Sequence, residues 1–136
     1  VYLDTLRKSS LAFYLAYQQC LEPSSPQSLL AVPGVVCVAF SIELGLKCLI
    51  LRANGKAKKG NLKTHNLMDL FNELEKPIQE QIVKEVNVAM SDFTSALEAA
   101  SNTFKDWRYV YEGKKDTHAN TWFLSNMAKA VHKIIG

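Results

Sequence analysis

The sequence predicts an all-α fold, an antiparallel bundle of about five to six helices forming one domain over residues 1–136. Three observations carry that expectation. Apolar residues recur at three- and four-residue steps along most of the chain. No stretch alternates with a period of two over a useful length. The 6 glycines and 4 prolines gather between apolar segments.

The elements follow in order. Leu3, Leu6, Ser10, Phe13, Tyr14, Tyr17 and Leu21 lie on one helical face, and the run Glu22-Pro23-Ser24-Ser25-Pro26 ends that helix. A second helix is expected to open at Pro33, which suits a first turn, and to stop at Asn54-Gly55. It is apolar nearly all round and reads as the central helix, about 33 Å long at about 1.5 Å per residue. Thr64 or Asn66 caps a short helix that turns Leu67, Leu70, Phe71 and Leu74 inward. Pro77 opens another through Ile78, Ile82, Val83 and Val86. Ser91 or Asp92 caps a long helix whose stripe runs Phe93, Ala96, Leu97, Ala100, Phe104, Trp107 and Tyr111, with Gly113 ending it. Asn120 caps the last helix, with Phe123, Leu124, Met127, Val131 and Ile134 facing in and His132 at its surface or its end.

Composition bounds the function. Hydrophobic residues are 48% and charged residues 21%, a globular balance, and the formal net charge is +3. The longest apolar candidate, Val32 to Leu51, is interrupted by Pro33, Gly34, Ser41, Glu43 and Lys47, so no membrane span is expected, and the N-terminus carries no signal pattern. Three cysteines do not suggest a disulfide framework, and reduced thiols fit a cytoplasmic protein. Cys37 and Cys48, three turns apart on one face, are expected as small buried apolar residues that cannot bridge each other. No CxxC pair, HExxH, Gly-rich phosphate loop or GxSxG turn occurs, so no metal and no cofactor is expected.

Three constellations remain. In Ser41-Ile42-Glu43-Leu44-Gly45-Leu46-Lys47, Glu43 and Lys47 stand four apart in an apolar helix, where they must find each other, a groove or a partner. In Lys63-Thr64-His65-Asn66-Leu67, a histidine precedes a helix start; it either packs and caps, or stands beside amides that hold an anion. In Trp107-Arg108-Tyr109-Val110-Tyr111-Glu112, Arg108, Tyr111 and Glu112 line one flank, as an internal ion pair or as a cradle for phosphate. Lys56, Lys58, Lys59 and Lys63 form a basic loop without an acid, and Lys114 and Lys115 a basic turn, either solubilising or steering phosphates.

In that order the three motifs, S-x-E-x-x-L-K-x-L-L with Ile50 for one leucine, T-H-N-L-x-x-L from Thr64 to Leu70, and R-Y-x-Y-E from Arg108 to Glu112, resemble HEPN domains over about residues 1–135. The resemblance implies a homodimeric helical bundle that acts with prokaryotic nucleotidyltransferases in toxin–antitoxin and defence systems. Active members are metal-independent endoribonucleases that use an arginine and a histidine a few residues beyond it. Arg108 matches the arginine; it is followed by Tyr109, and nine residues separate it from His118. The catalytic set is therefore left open among Arg108, His118 and His65. The ligand-binding set is Arg108, Tyr109, Tyr111, Glu112, Glu43, Lys47 and His65. The leading expectation is a non-catalytic or degenerate member that binds nucleotide or RNA phosphate. The alternatives are an active endoribonuclease and a homodimeric interaction module without ligand.

Overall fold

The computed structural model describes residues 2–22, 27–54, 62–103, 107 and 120–136. Among them are six helices and no strand: α1 (Tyr2–Cys20), α2 (Gln27–Asn54), α3 (Leu67–Glu73), α4 (Lys76–Val86), α5 (Met90–Ala100) and α6 (Thr121–Ile135). The all-α helical arrangement is as the periodicity implies.

α2 is the axis. α1 packs along it, α6 and α3 lie against other sides, α4 packs on α6, and α5 on α3. Val38, Ile42, Leu46, Leu49 and Ile50 of α2 are fully buried, which accounts for a helix apolar nearly all round. By length and composition Leu29–Ala53 matches a membrane span, contrary to the sequence expectation. The interrupting residues do not break its apolar character: two are small, Ser41 is bonded, and Glu43 and Lys47 neutralise each other. A chain of rings crosses the interior, with Phe71–Phe93 centroids 5.0 Å apart and Phe93–Phe123 5.4 Å apart.

Ser10 meets Ser41, and Tyr17 and Cys20 meet Gly34, so α1 and α2 are antiparallel. α6 is not antiparallel to α2. Thr121 shares a cleft with Val35, while the main-chain oxygens of Ile134 and Ile135 accept from Arg52, so both helices run in the same sense. Gly45 lets these helices meet: a Cβ there would stand 2.6 Å from Val131 Cγ1 and 3.1 Å from Ser10 Oγ.

Three boundaries differ from expectation. α2 begins at Gln27, with Pro33 inside it. Proline forfeits the bond to the carbonyl four residues back, here Leu29; both residues are exposed, so the gap is on the solvent side. α5 starts after Ala89 without a side-chain cap. It also ends at Ala100, with Ser101 and Asn102 in a turn before helical Thr103. The Ser101 carbonyl accepts the Leu67 N–H at 3.0 Å, and its hydroxyl accepts the Met68 N–H at 3.3 Å while donating to the Leu97 carbonyl at 2.8 Å. The end of α5 thus caps the start of α3. Asn66, Pro77 and Asn120 start their helices as expected; Asn66 and Asn120 accept from the Asp69 and Phe123 amides, each at 3.0 Å.

Candidate functional site

The two charged residues midway along α2 and the histidine before α3 come together in one cluster. Glu43 and Lys47 share a flank of α2 one turn apart, and Lys47 Nζ lies 2.9 Å from Glu43 Oε2. The side chains are 1% and 10% exposed, so this pair is withdrawn from water. Burying two charges is costly unless their remaining bonding capacity is met. His65 supplies part of it: its Nδ1 stands 3.0 Å from Glu43 Oε2 and 3.1 Å from Oε1.

The local sequence explains how His65 is held. It lies in the extended stretch between Leu62 and the Asn66 cap of α3. Thr64 Oγ1 accepts the Asn66 N–H at 3.0 Å, closing a tight turn around His65. Leu67 and Leu70 then anchor α3 in the core. A carboxylate can only accept, so the His65 Nδ1 carries the proton toward Glu43. The ring itself is 48% exposed. The cluster presents an oriented imidazole at the surface, over a buried carboxylate whose charge Lys47 offsets.

The start of α3 is not an anion site. Its first amides are already taken: Leu67 and Met68 donate to Ser101, and Asp69 donates to Asn66 Oδ1. The reading of this segment as free amides beside a histidine is corrected on that ground. Lys63 is exposed two residues before His65. Arg108, Tyr109, Tyr111, Glu112, His118 and the lysines 56, 58, 59, 114 and 115 lie outside the described residues. Trp107 is half-buried and lines a cleft of about 290 Å³ with Tyr17, Cys20, Leu30, Gly34 and Val35. Among the described residues no group of three or more His, Cys, Asp or Glu is placed to hold a metal ion.

A second polar cluster escaped the sequence reading. His132, near the end of α6, is half-buried, and its ring turns inward. Its Nε2 is 2.9 Å from Ser41 Oγ and 3.3 Å from Ser10 Oγ, and its ring lies 5.1 Å from that of Tyr14. The two serines exchange bonds: Ser10 Oγ donates to the Ser41 carbonyl and Ser41 Oγ to the Ser10 carbonyl, both at 2.7 Å. Both hydroxyl protons are thus committed, so His132 Nε2 must be the donor. A serine whose proton goes to a carbonyl, beside a histidine that can only donate, is not an activated nucleophile. Both serines are fully buried. The cluster is a polar clasp joining α1, α2 and α6, and burial lowers the His132 pKa. The available signal was Ser10, a polar residue inside an otherwise apolar helical stripe.

No family model, curated protein or solved structure matches the chain.

Proposed function

We propose that the chain is a HEPN-like domain that binds the phosphates of a nucleotide or of RNA, with His65 at the binding surface. In this reading it is a non-catalytic or degenerate member that acts in the cytoplasm as a homodimer, beside a nucleotidyltransferase in a prokaryotic defence or toxin–antitoxin setting. The observation that carries the proposal is the Glu43–Lys47–His65 cluster. A surface imidazole held by a carboxylate that is only 1% exposed costs desolvation, which is a poor way to build a merely stable bundle. Exposed Lys63 and the lysine-rich loop before it favour an anionic ligand. Arg108 would hold phosphate, with Tyr109 or Tyr111 stacking or donating and Glu112 completing the flank. The test is titration of the purified protein with nucleoside triphosphates and short RNA at low salt. Binding tighter than millimolar, weakened by His65→Ala and by Arg108→Ala, is expected; no binding would end the proposal.

One observation favours a second reading, metal-independent RNA cleavage. With Nδ1 held by Glu43, the His65 ring is oriented and would act as a general acid or base, and Arg108 would stabilise charge on the scissile phosphate. Incubation with RNA in chelator decides: cleavage lost in His65→Ala supports it, and cleavage unaffected by His65→Ala and Arg108→Ala removes it. Sedimentation equilibrium at micromolar concentration tests the homodimer; a monomer mass of 15.2 kDa would remove it.

A further inference from the structure

We infer that Cys20 and Cys37 are an oxidation-responsive pair that closes into a disulfide between α1 and α2. The two helices come close where α2 lacks a side chain: a Cβ on Gly34 would lie 3.3 Å from Cys20 Cβ and 3.9 Å from Cys20 Sγ. Cys37 stands one turn further along α2 than Gly34. In a helix each Cα–Cβ bond leans toward that helix's own N-terminus. Because α1 and α2 are antiparallel, Cys20 leans toward the turn that carries Cys37, and Cys37 leans back toward the Gly34 turn that Cys20 touches. Both are partly exposed and both thiols are free. Burial raises the Cys37 pKa first, and Cys20 raises it further. Cys48 is buried three turns beyond Cys37, and the charges that act on it are those of Arg52 and Arg7. It is the natural control.

Cys20 lines a half-open cleft, so it is the thiol that a small oxidant reaches. With hydrogen peroxide, the Cys20 thiolate attacks one peroxide oxygen, the O–O bond breaks, and a sulfenic acid and water result. The Cys37 sulfur then attacks the sulfenic sulfur, the S–S bond forms, and a second water leaves. Two thiols lose two electrons and two protons, and one peroxide becomes two waters. The bond would fix the end of α1 to α2 at the rim of the cleft.

The test treats the folded full chain with hydrogen peroxide at low protein concentration, followed by intact-mass measurement and peptide mapping without reductant. The expected result is a monomer lighter by two hydrogens, with the α1 and α2 peptides joined through Cys20 and Cys37, and reversal by dithiothreitol. Cys48→Ser retains the link, while Cys20→Ser and Cys37→Ser each abolish it. Far-UV circular dichroism of each variant establishes that it is folded. Three thiols still titratable after treatment, over-oxidised Cys20 without a link, or a link that uses Cys48 would each overturn the inference.

Discussion

Lys47→Met should destabilise the fold far more than loss of a surface charge would. The carboxylate it leaves behind is 1% exposed. Stranding a buried charge costs about 3–5 kcal/mol. Two features of the cluster lower that range: the Lys47 side chain keeps 10% of its exposure, and Glu43 retains His65 as a partner. The expected loss is therefore about 2–3 kcal/mol for Lys47→Met. Glu43→Leu strands the ammonium and removes the imidazole's acceptor, and should cost about 3–4 kcal/mol, within the same range. The informative variant is the double one. With both charges replaced by apolar side chains of similar size, no buried ion is left uncompensated, and such replacements are often neutral or stabilising. E43L/K47M should accordingly lie within about 1 kcal/mol of the wild type and be more stable than either single variant. Urea unfolding followed by far-UV circular dichroism at near-neutral pH, with the slope checked for constancy, measures all four proteins. Single losses below about 1 kcal/mol would mean the pair behaves as an exposed one. A double variant that loses the sum of the two singles would show that the side chains do not act together. Either result refutes the reasoning.

Two further outcomes follow from the packing. Burial lowers the folded-state pKa of His132, so the unfolded chain binds its proton more readily. Stability from this group is full above its ordinary pKa of about 6.5 and declines as pH falls below that value toward the folded pKa. Urea midpoints measured from neutral to mildly acid pH should fall less steeply in His132→Gln than in wild type, and equal slopes would contradict the buried clasp. Ser101→Ala removes the hydroxyl that Met68 N–H donates to, and should cost about 1 kcal/mol. Hydrogen exchange should speed up at Met68 more than at Leu67, whose partner is the Ser101 main-chain carbonyl; equal acceleration would show that the cap is not divided in this way.

Much of the fold was legible because helix period and caps are local signals. The stripes of α1, α4 and α6 and the Asn66, Pro77 and Asn120 starts follow from residues within a turn or two. The end of α5 was not legible. There Ser101 meets Leu67 and Met68, more than thirty residues back in the chain. The direction of α6 relative to α2 is likewise a property of how distant segments pack, which periodicity does not orient. For the site, four-residue spacing identified the Glu43–Lys47 pair, since it is a property of one helix. That His65 completes it required a contact over 22 positions, and the sequence left that residue open between packing and binding. His132 was misplaced because its neighbours, Ser10 and Ser41, come from two other helices. Arg108 and His118 lie outside the described residues, so their geometry adds nothing to the sequence reading.

The measurement that bears most directly on the central claim is the imidazole NMR spectrum of His65, recorded while short RNA is added at low salt. Glu43 fixes Nδ1 as a donor, so the neutral ring should be the Nδ1-protonated tautomer before any addition, and Glu43→Gln should disturb that preference. On titration the His65 signals should shift and saturate with a Kd below millimolar, those of half-buried His132 in its clasp should stay in place, and added salt should reverse the shift. His65 signals that remain unmoved by RNA and by nucleoside triphosphates, with the tautomer as stated, would contradict the account.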